Sequence, residues 1–212
     1  KKHNGNREMG LGKQAKTLTR KQIEMVSQYL RSRRSGLRNQ AVFLLSVKSG
    51  LRAKEIAELK WSMVLNSDGE VGDAIHLTDI ASKGKGGRIV PLNSDVKAVL
   101  SVLYDEAVST MSAFDCEEHV SDTKVVKTER ADSTSAQVIV NMFQGWYRDL
   151  GLVGCSSHTG RRTFITETAK KVSTVGGSLR DIQVMVGHRS LNTTQRYIDY
   201  DTDAQRRLVN LL

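Results

Sequence analysis

The chain has 212 residues, of which 39% are hydrophobic and 26% are charged, an ordinary balance for a globular protein large enough to bury a core. No apolar run approaches the roughly 20 residues that span a bilayer, and the opening KKHN has no signal-peptide pattern. Its two cysteines, Cys116 and Cys155, form no CxxC pair, so the sequence predicts free thiols in a reducing compartment and no structural zinc.

The net charge of +9 is concentrated at the start of the chain. Residues 1–38 hold eleven Lys/Arg and two acids, whereas residues 39–212 hold 21 of each sign. A concentrated basic segment suggests a polyanion partner, with nucleic acid first and an anionic membrane second; a solvated tail is the alternative. Residues 98–123 contain six acids and no Lys or Arg, so we expect that side to face away from a polyanion.

The first third of the chain predicts a basic, flexible arm over residues 1–17 and then three helices. TLTRKQIEMVSQYLRSR begins with a capping-box pair, Thr19 and Gln22. LRNQAVFLLSVKSG is more apolar and ends at Gly50, and RAKEIAELKW continues as a short helix. The residues predicted to face the core are Ile23, Val26, Leu30, Ile56 and Leu59.

The middle of the chain changes period. AIHLTDI and RIVPL predict strands, and ASKGKGG between them predicts a hairpin tip. SDVKAVLSVLYDEAVST then predicts a helix, and residues 111–133 predict a loop. STSAQVIVNMFQGWYRDLG predicts a helix that is capped near Ser133 or Thr134 and ends at Gly151. The residues predicted to be buried on these two helices are Val96, Val99, Leu100, Leu103, Val138, Met142, Phe143 and Trp146.

The last third returns to helices. SSHTGRRTFITETAKKV predicts a polar turn followed by a helix. SLRDIQVMVGH predicts a short helix capped by Ser178 and Asp181, and DTDAQRRLVNLL predicts an amphipathic terminal helix. The whole pattern predicts a mainly α fold with a small antiparallel β-sheet (α+β). We expect one compact domain over residues 18–212, behind the arm.

Known catalytic motifs are missing from the sequence. There is no P-loop, no HExxH, no acidic cluster at metal spacing and no GxSxG elbow, which favours chemistry without metal or nucleotide. Cationic, imidazole and phenol groups instead lie at the predicted element boundaries: Arg52, Lys83, Lys85, Arg88, His158, Arg161, His188 and Tyr197. Each alone is ordinary, as a surface ion pair, a solvated turn or an amphipathic packing residue.

Together these groups meet the needs of one reaction, the transfer of a phosphodiester to tyrosine without a metal. Guanidinium groups can donate parallel hydrogen bonds to two non-bridging oxygens and stay charged. A lysine can protonate the leaving oxygen, imidazoles can relay protons, and tyrosine can form a covalent intermediate.

Four sequence boxes that carry these residues resemble, in order, the catalytic domain of the tyrosine recombinase (phage integrase) family. They are SGLRAKEIAELKW, SKGKGGRIVPL, SSHTGRRTF and VGHRSLNTTQRY. The resemblance covers roughly residues 18–200 and implies the family's catalytic-domain fold. It also implies site-specific DNA recombination, in which strands are cleaved and rejoined through a 3′-phosphotyrosine intermediate without metal, cofactor or ATP.

The resemblance implies a role for each box residue. Tyr197 would attack the scissile phosphate, and Arg52 and Arg161 would hold its non-bridging oxygens. His158 would assist proton transfer from the tyrosine, and His188 would hydrogen-bond the phosphate.

The hairpin and the last box leave two choices open. Counting back from the VPL ending favours Lys83 over Lys85 as the acid that protonates the leaving 5′-oxygen. The spacing from the histidine favours Tyr197 over Tyr200 as the nucleophile. Glu55 resembles the acid that supports the first arginine. The residues expected to contact DNA without catalysing its cleavage are Lys85, Arg88 and Arg162.

The implied partner is double-stranded DNA with a specific recombination site. The protein is expected to bind this DNA as a homotetramer and to be a monomer or weak oligomer when it is free of DNA. No membrane is involved, and the expected location is the cytoplasm of a bacterium, an archaeon or a phage host. Many family members carry a separate helical DNA-clamp domain before this one. Either that domain has been removed here, or this is a small member whose basic arm takes over part of the DNA grip.

Three further alternatives remain open at this level. The terminal helix could dock on a neighbouring subunit or pack on its own domain. The same chemistry could serve type IB topoisomerase-like relaxation. A DNA-binding regulator could keep the fold without activity.

Overall fold

The structure, a computed structural model, describes residues 15–78, 87–110, 120–128, 131–197 and 209–210. Within these ranges the chain is mainly helical with a two-stranded antiparallel sheet, which confirms the predicted fold class. None of the helices in the described ranges is long and apolar enough to span a bilayer. The elements are α1 (Arg20–Arg31), α2 (Gly36–Ser49), α3 (Ala53–Glu58), β1 (Ala74–Leu77), β2 (Arg88–Pro91), α4 (Ser94–Ser109), α5 (Ala136–Asp149), α6 (Thr159–Lys171), α7 (Leu179–Val186) and α8 (Leu191–Gln195), with 3₁₀ turns at Trp61–Met63 and Val172–Val175.

The first helix begins as the sequence predicts. The Thr19 hydroxyl accepts from the Gln22 N–H, and the Gln22 side chain accepts from the Thr19 N–H, so two otherwise unpaired donors are satisfied. Val26 and Leu30 on its inner face are fully buried. The capping box and the apolar stripe therefore confirm both the start and the orientation of α1.

The second helix is the centre of the domain, with α1, α4 and α6 packed around it. Ten of its fourteen residues are buried, so it has almost no solvent face. It ends at Gly50, which has a φ of +66° and confirms the predicted terminator. A side chain at Gly50 would place its Cβ 2.5 Å from the Phe164 ring, so only glycine fits between α2 and α6.

The predicted hairpin strands are both present. Their antiparallel register pairs Ala74 with Pro91 and Leu77 with Arg88, so Arg88 begins β2 at the end nearest the hairpin tip. The predicted tip, with Lys83 and Lys85, falls largely in residues 79–86, which lie outside the described residues.

The fifth helix corrects two predictions. Its N-cap is Ser135, rather than Ser133 or Thr134, and the hydroxyl accepts from the Val138 N–H. The buried stripe includes Ile139 and Tyr147 besides the predicted Phe143 and Trp146, whereas Val138 is 39% exposed. The helix carries apolar residues on more than one face, and packing against α3 selects which face is buried.

The described core has two parts. The larger cluster joins α1–α5 and the strands, and a small second cluster is built on Ile165, Ile182 and Val186. Tyr197 packs against this second cluster. Helix α6 packs on α2 in the main core, and α7 and α8, with Tyr197, form a small module against α6.

Both ends of the chain lie mostly outside the described residues. Of the predicted arm only residues 15–17 are described, and there the Lys16 N–H donates to the Gly154 carbonyl at 3.3 Å. Leu18 follows as a buried residue whose N–H donates to Thr163 Oγ1 at 2.9 Å. The predicted terminal helix lies outside the described residues, except for residues 209–210.

Candidate active site

The first candidate arginine lies at the start of α3. Arg52 is the N-cap residue, and Glu55, three positions on, accepts from the Arg52 backbone N–H and from its Nη1, each at 2.8 Å. The carboxylate is 2% exposed and the Arg52 side chain 28% exposed. A buried acid therefore orients a guanidinium that still reaches solvent.

The same carboxylate binds a second arginine from the hairpin. Arg88 Nη1 and Nη2 donate to the two Glu55 oxygens at 2.9 Å each, a bidentate pair in which the Arg88 side chain is 7% exposed. Burial alone would raise the pKa of the Glu55 carboxyl, but the hydrogen bonds and charge of Arg88, followed by those of Arg52, lower it below its usual value. Glu55 is therefore ionised at neutral pH.

Arg88 is thus placed differently from the sequence prediction of a DNA contact. Its Nε also donates to the Met185 carbonyl at 2.8 Å, so all three side-chain nitrogens bind protein groups. The signal that drew attention to it, a basic residue at a hairpin end, does not distinguish an outward side chain from an inward one.

The third arginine joins the main core to the small module. Arg161 on α6 is 4% exposed, and its Nη1 and Nη2 donate to the carbonyls of Gly50 and Val186 at 2.6 and 2.7 Å. Burial, and then the charge of Arg52, lowers the pKa of Arg161 to about 9, so the guanidinium is charged at neutral pH. It lies between the carboxyl ends of α2 and α7.

The end of α7 explains how His188 is positioned. Gly187, with a φ of +64°, donates to the Val184 carbonyl, and the His188 N–H donates to the Gln183 carbonyl, both at 3.1 Å. These are the two bonds of a Schellman motif. The next two carbonyls, of residues 185 and 186, accept from Arg88 and Arg161. The four carbonyls that a helix end leaves unpaired are therefore all satisfied.

The His188 ring is held by two neighbours. Its Nδ1 lies 3.0 Å from Thr194 Oγ1, and the ring stacks on Tyr197 with centroids 5.5 Å apart and planes 23° apart. Burial, followed by the charges of Arg161 and Arg52, lowers the pKa of His188 to about 4. The imidazole is therefore neutral at physiological pH.

Tyr197 follows the last turn of α8. Its N–H donates to the Thr194 carbonyl at 3.0 Å, and its own carbonyl accepts from Thr166 Oγ1 at 2.9 Å. Thr166 is buried on α6, so the main chain of Tyr197 is anchored to the helix that carries Arg161. The competing tyrosine, Tyr200, lies outside the described residues.

His158 and Arg162 complete the described candidates. His158 is the exposed N-cap residue of α6, one turn before Arg161, and its carbonyl accepts from the Arg162 N–H at 2.9 Å. Arg162 is half-buried. Five of the six predicted catalytic residues thus lie at or beside ends of α3, α6, α7 and α8, and Lys83 is outside the described residues.

Two threonines of the site were not predicted to have roles. Thr194 contacts the His188 ring, and Thr166 binds the Tyr197 carbonyl. The paired threonines in the fourth box were a visible signal for the first. No local pattern marks the second, because Thr166 and Tyr197 are 31 residues apart.

The charges of the described site residues do not balance. Arg52 and Arg88 bind the one carboxylate of Glu55, Arg161 adds a third positive charge that interacts with theirs, and His188 is neutral. Such an excess of oriented guanidinium groups suits an anion with two oxygens, such as a phosphodiester. Within the described residues, no three His, Cys, Asp or Glu side chains group to hold a metal ion.

Comparison with known proteins places the sequence. The chain belongs to the phage integrase family, whose sequence model matches residues 16–203. It is similar to tyrosine recombinase XerC of Herpetosiphon aurantiacus, with 27% identity over 179 residues, which are 81% of this chain and 53% of that protein. Tyrosine recombinase XerD of Lacticaseibacillus casei is 24% identical over 163 residues, 76% of this chain and 50% of that protein. The chain thus spans about half the length of these relatives.

Solved structures share the fold. A crystal structure of XerA recombinase superposes with a TM-score of 0.69 at 22% identity, covering 92% of this chain and 64% of that one. XerH site-specific recombinase bound to palindromic difH substrate gives a TM-score of 0.68 at 18% identity, over 91% of this chain and 51% of that one. These likenesses confirm the predicted recombinase catalytic-domain fold.

Proposed function

We propose that this chain is the catalytic domain of a site-specific DNA recombinase, which cleaves and rejoins strands through a 3′-phosphotyrosine at Tyr197. The observation that carries the proposal is a cluster of three guanidinium groups and the stacked rings of His188 and Tyr197: Arg52 and Arg88 bind the Glu55 carboxylate, and the buried Arg161 lies within range of their charges. Relatives of the chain are named tyrosine recombinases, which supports the same chemistry here.

In the proposed reaction, the Tyr197 oxygen attacks phosphorus and the bond from phosphorus to the 5′-oxygen breaks. The tyrosine proton passes to His158, and Lys83 donates a proton to the 5′-oxygen as it leaves. The phosphotyrosine conserves the phosphodiester bond energy, so a 5′-hydroxyl of another strand can reverse the step without ATP or a metal.

Arg52 and Arg161 hold the phosphate in this proposal. Arg52 is fixed by Glu55 yet 28% exposed, so its remaining N–H groups can meet an oxygen. Arg161 uses two of its five N–H donors on carbonyls, which leaves three. In this proposal the Thr194 hydroxyl donates to His188 Nδ1, so the single N–H of the neutral ring lies on Nε2 and donates to the phosphate.

The proposed substrate is double-stranded DNA with a specific recombination site. The basic segment 1–38, with Lys85 and Arg162, would contact the DNA backbone. We propose that a homotetramer forms on paired sites from a free monomer or weak oligomer. The reaction would take place in the cytoplasm of a bacterium, an archaeon or a phage host. Structural relatives solved with DNA, such as the Tn1549 transposon integrase with a circular intermediate, support the choice of partner.

A covalent capture experiment tests the proposal without knowledge of the site. The chain is incubated with a pool of nicked duplexes with randomised arms, washed in denaturant, and the DNA that stays attached is sequenced. We expect one family of sequences, joined through its 3′-phosphate. Tyr197→Phe should yield no adduct, while Tyr200→Phe, the matched control, should yield the wild-type amount.

Three results would count against the proposal. An adduct that survives Tyr197→Phe would overturn the choice of nucleophile. Specific DNA binding without any adduct would indicate a binding module. Relaxation of supercoiled DNA without strand exchange between sites would indicate topoisomerase-like activity.

A further inference from the structure

We propose that Arg88 is a positioning residue for strand cleavage, which holds Glu55 and the end of α7 in register beneath the phosphate. This inference rests on the proposed function, and it replaces the expected role of Arg88 as a DNA contact. Arg88 does not touch the phosphate in this proposal; it acts through the groups that do.

Every side-chain nitrogen of Arg88 already donates to a protein group. Two nitrogens form the bidentate pair with Glu55, and the third binds the Met185 carbonyl, while the side chain is 7% exposed. Two of its five N–H donors remain, but a bidentate phosphate contact would displace the buried carboxylate or the helix-end carbonyl, and either would then lack its partner.

Arg88 positions Arg52 through Glu55. The carboxylate that Arg88 grips also receives the Arg52 N–H and Nη1. The charged groups that face it are Arg88 and Arg52, and its charge also interacts with those of Arg161 and of His188, which is neutral at physiological pH. Without its bidentate pair with Arg88, Glu55 would lose two hydrogen bonds and become easier to protonate. Arg52 would then lose its fixed orientation.

Arg88 also positions His188, through the end of α7. Arg88 binds the carbonyl of Met185, and its side chain passes so close to Gly187 that a Cβ there would lie 3.1 Å from Arg88 Cδ and Nη1. Gly187 is the turn residue immediately before His188. The guanidinium therefore forms one wall of the turn that presents the imidazole.

Arg88 also begins β2, opposite Leu77 on β1. One residue thus links the hairpin that carries the candidate lysines, the carboxylate behind Arg52 and the turn before His188. Loss of this link should leave DNA binding in place while separating groups that must meet at one phosphorus.

The test compares Arg88→Met and Arg88→Lys with Arg148→Met, a control that removes an exposed arginine only loosely paired with Asp149 at 3.6 Å. Cleavage is measured in single turnover, at saturating protein, on the nicked duplex recovered by wild-type capture. Affinity for the same duplex is measured in the Tyr197→Phe background. We expect unchanged affinity for every variant, a cleavage rate about 100-fold lower for Arg88→Met, and an intermediate rate for Arg88→Lys, which keeps the charge without the fork.

A pH profile and a double variant separate positioning from simple loss of stability. Because Arg88 helps to lower the pKa of Glu55, its removal raises that pKa, so the acid limb of the Arg88→Met profile should move to higher pH. In Glu55→Gln the target of the fork is already altered, so adding Arg88→Met should slow cleavage by much less than it does in the wild type.

Several results would overturn the inference while the proposed function stands. Weaker DNA affinity with a wild-type rate at saturation would make Arg88 a DNA contact. An unmoved acid limb, or fully additive effects with Glu55→Gln, would leave only a structural role. If Arg88→Met does not fold, a wild-type rate and profile in Arg88→Lys would be equally decisive against it. If the wild type itself forms no adduct, the inference and the proposed function both fail.

Discussion

The hydroxyl of Thr194 offers a sharp test of how His188 is oriented. Thr194 is fully buried, and its Oγ1 lies 3.0 Å from His188 Nδ1. Thr194→Val keeps the shape of the side chain and removes the hydroxyl, whereas Thr194→Ser keeps the hydroxyl and removes a methyl group. The pair of variants therefore separates the hydrogen bond from the packing.

The two variants should lose similar amounts of stability. Thr194→Ser deletes one buried methyl group, which destabilises by about 1 kcal/mol. Thr194→Val loses a net hydrogen bond, also about 1 kcal/mol, because His188 is only half-buried and water can replace the lost partner. For a domain of this size, each should lower the Tm by about 2–4 °C.

Only the valine variant should slow strand cleavage. Without a partner for Nδ1, neither the tautomer nor the rotamer of His188 is fixed. Displacement of a reacting group by about 1 Å can lower a rate by about 100-fold, so we expect a loss of up to that size for Thr194→Val and a near-wild-type rate for Thr194→Ser. Single-turnover cleavage at saturating protein measures both. The reasoning would be refuted if Thr194→Val cleaved at the wild-type rate, or if Thr194→Ser cleaved more slowly than Thr194→Val.

Four further outcomes are expected. Because the pKa of His188 falls from its usual 6.5 to about 4 on folding, its stabilising contribution should be complete above pH 6.5 and be lost as the pH falls towards 4; NMR titration of its ring should show that low midpoint. Gly160→Ala should destabilise by about 1–3 kcal/mol in thermal unfolding, since its Cβ would lie 2.4 Å from Ser46 Oγ between α6 and α2; an unchanged Tm would contradict this packing. Tyr147→Phe should raise the unfolding free energy by about 1 kcal/mol, because the buried hydroxyl has no partner among the described residues, and a lower Tm would show that it has one. Deletion of residues 1–17 should weaken DNA binding and flatten its dependence on salt; an unchanged salt slope would exclude the arm from the interface.

Local chemistry made much of the fold predictable. The capping pairs Thr19–Gln22 and Ser178–Asp181 both form as expected, because they join residues three positions apart. On α5 the prediction was right for Phe143 and Trp146 but wrong for Val138, since Ile139 is buried in its place. The sequence of a helix with apolar residues on several faces does not show which neighbouring helix will cover it. Here the packing against α3 determines which residues of α5 are buried.

The same limit applies to the site. The boxes pointed to Arg161 and His188 by their spacing, but not to the groups that hold them. Arg161 binds the carbonyl of Gly50, 111 residues away, and every backbone carries carbonyls, so no side-chain pattern could reveal the contact. Arg88 shows the converse case, since a basic hairpin residue looks like a DNA contact until its buried acid partner is placed beside it.

The Arg161 guanidinium must satisfy two helix-end carbonyls and, in the proposed reaction, also hold the phosphate. Its bonds to the carbonyls of Gly50 and Val186 satisfy two helix ends, and turning away would leave each carbonyl unpaired at about 1–3 kcal/mol. The carbonyls therefore hold the guanidinium against rotation while its three other N–H donors stay available. Donors fixed before the substrate arrives are the condition under which electrostatic stabilisation is most effective. Arg52 is thus held by Glu55 in the main core, and Arg161 is held by both the main core and the small module, so the arginine that joins the two parts is also the one that the proposal places on the phosphate beside Tyr197.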